Sequence, residues 1–382
     1  MTHPLRDHCA IVGVGASPQG KLPGSTAISL AVEAFRRALD DSGLRKDQID
    51  GLLTLPGQTS PEGALNYLRL GETLGLDPRF TGTMHMGGAT PAVLVQHAAL
   101  AVHAGMATHV AVVFGDAAAT GGGRYDRAQG WGDSSAIWGY MSAAANSAIT
   151  ASRHMALYGT TSRQLGEVAV ACRHHASLNP DAVMRKPMTL EDHQTSRWVV
   201  EPLHLLDCCL VSDGGGCVIV SSAERARDLR PPPVLLAGFG QAFTTRNLGR
   251  EDWWYAPHQR VAVADAYAMA GLGPRDIAVA QLYDNFTISV LLWLEHAGFC
   301  APGEAGPFCE DGRIRLGGAL PVNTAGGNLS ESYMEGILHI VEGVRQMRGA
   351  CGPRQVPGAA ATLVTGRGGA LNCAGALVLR RA

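Results

Sequence analysis

The chain has 382 residues, of which 17% are charged, 46% are hydrophobic and 48 are glycine, and its formal net charge is −2. That length can carry two fused halves around a large buried core, and the composition is that of a tightly packed enzyme rather than a disordered or fibrous chain. The near-neutral balance gives no electrostatic reason to expect nucleic acid or an anionic membrane as partner.

No run approaches the ~18 uncharged apolar residues needed for a membrane span. The start, MTHPLRDHCAIVGVG, lacks the apolar stretch and cleavage site of a signal peptide, so a cytoplasmic location is expected. The nine cysteines show no paired CxxC spacing. Reduced thiols, and no zinc site in this chain, are the expectation.

Apolar strands alternate with amphipathic helices, which predicts an α/β architecture. The periodicity gives a strand over Cys9–Val14, a helix over Ala27–Ser42, a nearly uncharged core helix over Ala92–Ala104 and a strand over His109–Phe114. The order then repeats. Pro233–Phe239 reads as strand, Val261–Ala270 as helix, Val279–Tyr283 as strand and Ile288–Ala297 as helix. Glu335–Met347 follows as helix, with closing strands at Ala361–Thr365 and Ala376–Leu379. Gly43, Leu44 and Ile49 recur as Gly271, Leu272 and Ile277, and Gly87-Gly88 is echoed by Gly326-Gly327, each pair opening a core helix.

Two similar halves are therefore expected, residues 1–230 and 231–382, joined by the charged and proline-rich stretch 222–232. A polar, Gly-rich insertion at about 118–202 has no counterpart of that size in the second half. Insertions of this kind usually cover or shape a site.

Several motifs carry the next step: Ala10–Ser17 (AIVGVGAS), Leu205–Ser222 (LLDCCLVSDGGGCVIVSS), Leu282–Cys300 (LYDNFTISVLLWLEHAGFC) and Leu320–His339 (LPVNTAGGNLSESYMEGILH). Across nearly its whole length the chain resembles the thiolase superfamily. Within it, the similarity is to the lipid-transfer branch that includes sterol carrier thiolases and steroid side-chain aldolases. The resemblance implies two βαβαβαββ halves in a five-layered α-β-α-β-α core.

It also sharpens what is missing. A thiolase places a nucleophilic cysteine at the N-terminus of its first core helix, where the dipole and backbone N–H groups stabilise a thiolate and an oxyanion. Counting back from Gly105 puts Gly88 in that position, within Met84–Thr90, and no cysteine lies between Cys9 and Cys172. A second thiolase cysteine should fall within Val364–Gly369, which holds none; only Cys373, on the next strand, could reach in. Where a thiolase has Gly-His-Pro, this chain has Ser332-Tyr333-Met334, with Tyr333 expected in the first turn of the helix. The Asn-Glu-Ala-Phe motif becomes Tyr283-Asp284-Asn285-Phe286.

By pattern alone Tyr283 reads as a half-buried packing residue. The resemblance to steroid side-chain aldolases implies instead a catalytic tyrosine pair, Tyr283 and Tyr333. A phenol near pKa 10 is a weak base at neutral pH but can pass a proton if its neighbours lower that value. The backbone of Gly87, Gly88 and Ala89, at a helix N-terminus, could hold the thioester oxygen. His85, Asp284, Asn323 and Gly327 are supporting candidates: His85 could equally be a core histidine, and Asp284 could orient a partner or cap the following helix. His174-His175 and Trp253-Trp254-Tyr255 read as surface or packing. Gly13–Ser17 lacks the third glycine and acidic residue of a dinucleotide fingerprint, and Gly121–Gly123 lacks the P-loop lysine.

The resemblance implies a lyase that cleaves a β-hydroxyacyl-CoA by retro-aldol reaction to a ketone and a short acyl-CoA, with a coenzyme A thioester as substrate and no cofactor bound in this chain. It also implies a homodimer joined to a small OB-fold and zinc-ribbon (DUF35-type) partner, giving a heterotetramer with zinc only in that partner. The alternatives are a thiolase or acyltransferase for an unusual 3-oxoacyl-CoA, an aromatic one for example, and a non-catalytic acyl-CoA- or lipid-binding subunit.

Overall fold

The structure is a computed structural model and describes residues 3–123, 142–245, 251–368 and 372–382. The first half runs β1 (Cys9–Ala16), α1 (Ala27–Ser42), β2 (Gly51–Thr54), α2 (Asn66–Leu74), β3 (Phe80–Thr83), α3 (Thr90–His103) and β4 (His109–Ala117). The insertion contributes α4 (Ala143–Tyr158), α5 (Ser162–Ser177), α6 (Leu190–Thr195), β5 (Trp198–Val200) and β6 (Leu203–His204). The described part of the insertion is thus largely helical rather than loop; residues 124–141 lie outside the described residues. β7 (Asp213–Ser222) and α7 (Ala223–Ala226) lead into the second half.

There follow β8 (Val234–Phe243), α8 (His258–Ala270), β9 (Val279–Gln281), α9 (Thr287–His296), α10 (Ala305–Cys309), α11 (Gly327–Ser330), α12 (Ile337–Arg348), β10 (Ala361–Gly368) and β11 (Cys373–Arg381). Nine strands pair in the order β3-β2-β4-β7-β1-β8-β11-β10-β9. The five strands of the first half and four of the second are joined where Ala10 and Ile11 pair with Leu235 and Val234. The third strand expected in the second half has shrunk to a single bridge, Ala280 to Val322. Pro321 beside it has no N–H to extend a ladder.

Three apolar clusters define the layers. One packs α1 and α2 on the first-half strands, and a second wraps α3 and α12 between strands of both halves. A third packs α8, α9 and parts of the insertion on the second-half strands. This is the expected α-β-α-β-α order. Sequence and cap chemistry agree at α1, where Thr26 and Ser29 form a capping box and Gly43 closes the helix in the left-handed region. Gly271 ends α8 in the same way, so the glycine repeat seen in the sequence is a repeated helix stop.

One expectation fails. Gly326-Gly327 does not open the second core helix but starts α11, four residues long, and α12 begins only at Ile337 after Gly336. Tyr333 therefore sits in the irregular segment between the two helices, not in a first helical turn. The apolar run that follows has a helical period, and it hides the break in the sequence pattern.

Candidate active site

Two turns meet at the centre of the molecule. The first, Met86–Ala89, leads into α3, which is buried along nearly its whole length. Thr90 ties this turn: its hydroxyl donates to the Gly87 carbonyl at 2.6 Å and accepts the Met86 N–H at 2.7 Å. Gly87 has φ 54°, a value that favours glycine. β10 comes close on one side, so a β-carbon on Gly366 would press on the Gly88 carbonyl and Ala89. The amides of Gly88 and Ala89 thus sit at the N-terminus of a buried helix, as expected.

No side chain can stand at Gly88. A β-carbon built there would overlap the phenol ring and oxygen of Tyr283. The tyrosine occupies the room into which a nucleophile at this position would project, so its phenol and the missing cysteine are alternatives in space.

Tyr283 is held firmly. Its own N–H donates to Thr365 Oγ1 at 3.0 Å. The preceding residue, Leu282, is gripped on both sides by the Asn323 amide, which accepts its N–H at 2.7 Å and donates to its carbonyl at 2.8 Å. Asn323 pays for this with a left-handed backbone, φ 54°. Asp284, fully buried, accepts from the Asn328 N–H at 2.9 Å, the Leu329 N–H at 3.4 Å and faces His339 Nε2 at 2.9 Å. It therefore both caps a helix and orients a partner. The helix is α11, more than forty residues onward, and not α9, the one that follows it. Gly327 makes this cap possible, since a β-carbon there would overlap the Asp284 carboxylate.

The two phenols meet: Tyr283 and Tyr333 oxygens are 3.1 Å apart. Tyr283 is completely enclosed, whereas Tyr333 borders a cavity of about 370 Å³. That cavity is lined by Ala143, Ala144 and Val199 of the insertion and by Cys208, Val211 and Phe286, among others. An apolar lining with one phenol suits a large hydrophobic acyl group. Burial holds the Tyr283 phenol well above the usual tyrosine range, and the nearby Glu335 charge adds to the rise. This rise is the opposite of the lowering that a phenol acting as a base would need, and it keeps Tyr283 protonated at neutral pH.

The cysteines near the cavity are poor substitutes for a nucleophile. Burial pushes the Cys208 thiol up to about 12 and the Cys209 thiol well above its ordinary value, so both are thiols rather than thiolates. Cys373 is buried at the start of β11, and its thiol bonds the side chain of its neighbour Asn372 at 3.7 Å. His85 is the candidate the structure does not bring in: its side chain is exposed beside the Met86–Ala89 turn.

Two further buried groups beside the tyrosines, Glu335 and His339, were not singled out in the sequence. His339 grips Asp284 and its ring lies 6.1 Å from the Tyr283 ring. Glu335 is a buried acid two residues beyond Tyr333. The signal for it was a charge between Met334 and Ile337 in an otherwise apolar run.

A fold of two related halves around paired core helices, with its site at their N-terminal turns, defines a thiolase-superfamily protein, and residues 240–381 match the thiolase C-terminal domain-like family. The chain is 40% identical over 363 residues to the 17-hydroxy-3-oxo-4-pregnene-20-carboxyl-CoA lyase of Mycobacterium tuberculosis, covering 90% of this chain and 92% of that one. It is also 40% identical over 358 residues to the steroid side-chain-cleaving aldolase of Thermomonospora curvata, covering 89% and 90%. A solved structure described as an Ltp2-ChsH2(DUF35) aldolase superposes with a TM-score of 0.91 at 39% identity over 99% of both chains. The chain belongs to the steroid side-chain-cleaving aldolase family, a branch of the thiolase superfamily. It is a carbon–carbon lyase.

Proposed function

We propose that the chain cleaves a β-hydroxyacyl-CoA carrying a tertiary hydroxyl on a steroid side chain, releasing a ketone and a short acyl-CoA such as propionyl-CoA. The observation that carries this reading is the tyrosine pair, which fills the nucleophile's space at Gly88 and opens one phenol to an apolar cavity. The family's named relatives act on steroid side chains, and the lining by Val199, Val211 and Phe286 suits such a ring system.

The proton follows a closed path. Tyr333, facing the cavity, takes the hydroxyl proton as the C–O bond becomes a carbonyl. The Cα–Cβ electron pair moves onto Cα, giving the thioester enolate. Tyr283 stays protonated and donates to the Tyr333 oxygen, which eases the loss of Tyr333's own phenol proton that must accompany this transfer. Backbone amides of Gly87, Gly88 and Ala89 hold the enolate oxygen, and Cα then recovers the proton from Tyr333. No bond to the protein forms, so no cysteine is needed. Asn323, Asp284 and Gly327 set the tyrosine geometry and touch no reacting atom.

The chain is read as a homodimer working with a small OB-fold and zinc-ribbon partner. The comparison structure's own description includes a DUF35 component, which supports that reading. The test is co-expression with the DUF35-type partner followed by mass spectrometry of products from a 17-hydroxy steroid carboxyl-CoA. Ketone and short acyl-CoA without added CoA are expected. Turnover only of a 3-oxoacyl-CoA, and only with free CoA, would replace this reading with a thiolase.

A further inference from the structure

The segment between α11 and α12 carries a buried acid with no task in the fold. Glu335 has φ 48°, a conformation that costs a non-glycine residue free energy, at a position where glycine would be comfortable. Its carboxyl is buried and Oε2 has no hydrogen-bond partner among the described residues. A buried carboxyl with one oxygen unpaired and a strained backbone at one residue are two separate penalties.

Its surroundings indicate a role. The hydrogen-bonding neighbour of the carboxyl is the Tyr333 phenol, whose oxygen in turn meets Tyr283 at 3.1 Å. The titratable groups facing Glu335 are Tyr333 on its own segment, Asp116 on β4, Tyr283 after β9 and Cys209 before β7. Among these, no cation offsets its charge. Asp116 is itself occupied, accepting from Gln58, from the Thr59 amide and hydroxyl, and from Ala117.

We infer that Glu335 is the proton acceptor behind Tyr333, a positioning residue that lets the phenol act as a base without becoming a phenolate. This inference rests on the tyrosine reading above. As Tyr333 takes the substrate hydroxyl proton, its own phenol proton passes to the Glu335 carboxylate. When Cα of the enolate takes a proton from Tyr333, the carboxyl returns one to the phenol. The substrate's hydroxyl proton is exchanged for the one delivered to Cα, and the site ends as it began. Burial holds the Glu335 carboxyl up at about 7, with the Asp116 charge adding and the Tyr333 contact opposing, so it gives and takes a proton near neutrality.

The test compares Glu335→Gln, Glu335→Gly and Tyr333→Phe in the complex with its partner, measuring kcat against pH with the steroid acyl-CoA. Glycine relieves the φ 48° strain, so Glu335→Gly should fold at least as well as wild type by thermal melting. Both Glu335 variants should lose about 10²-fold or more in kcat. The wild-type rise in kcat with pH through about 7 should vanish in whatever activity they retain. If Tyr333→Phe is inactive while Glu335→Gly keeps wild-type kcat and pH profile, the Glu335 inference is wrong and the tyrosine reading stands. If Tyr333→Phe is itself active, the tyrosine reading fails first.

Discussion

The two halves of the molecule enter their core helices by opposite chemistry. Into α3 the chain passes through Gly87–Ala89, two glycines and an alanine that present little but backbone. Into α12 it passes through Tyr333–Gly336, which has gained a phenol and a carboxyl over a backbone at φ 48° and then 87°. The pseudo-equivalent turns have divided the labour. In the proposed mechanism one offers fixed dipoles for an oxyanion, and the other holds the groups that move protons. The space a side chain at Gly88 would take is filled from the second half by Tyr283, and the proposed chemistry moves with it across the interface between halves.

The sharpest way to break this comparison is to disable the second turn. Tyr333→Phe should lower kcat by about 10²–10⁴-fold in steady-state assays, while costing stability only ~1 kcal/mol for its hydrogen bonds. Tyr283→Phe should lose less, about 10²-fold, since it supports charge on Tyr333 rather than taking the substrate proton. Next in size is Asp284→Ala. It strands the N–H groups of Asn328 and Leu329 and the His339 ring together, and denaturant unfolding should show a loss of about 3 kcal/mol.

Refilling the first turn is the converse experiment. Gly88→Ala and Gly88→Cys both drive a β-carbon into the Tyr283 phenol. Each should cost about 1–3 kcal/mol, and the cysteine variant should gain no thiolase activity while losing lyase activity. The smallest effect concerns Glu331, just ahead of the second turn. Burial, helped by the Glu342 charge, holds its carboxyl up at about 8, above its ordinary 4.5. A raised folded-state pKa contributes stability that is full below about 4.5 and lost as pH rises through 8. Glu331→Gln removes that loss and can still bond Asn179. Its melting temperature relative to wild type should therefore climb steadily from pH 5 to pH 9.

The strands, the first helix and the repeated glycine stops were legible because local periodicity and cap chemistry determine them. Gly88 and the tyrosine positions were legible only through resemblance, since a tyrosine after a strand looks like packing. The break before α12 was not legible. Its apolar spacing continues a helix on paper, whereas Glu335 and Gly336 take positive φ where a β-carbon on Gly336 would crowd Gly88 and Tyr283, far away in sequence. Likewise, Asp284 was read against its neighbouring helix because sequence gives no view of α11 folding back onto it. His85 stood next to the vacated nucleophile in sequence, and the fold leaves it exposed beside the turn, with local burial lowering its imidazole below the usual range.

The tyrosine pair is proposed to work without a bond to the protein. Intact-protein mass spectrometry of the complex, acid-quenched during turnover of a 17-hydroxy steroid carboxyl-CoA, tests it most directly. An unmodified chain is expected at every time point while ketone accumulates. A transient acyl adduct on any cysteine, surviving in Tyr333→Phe, would contradict it.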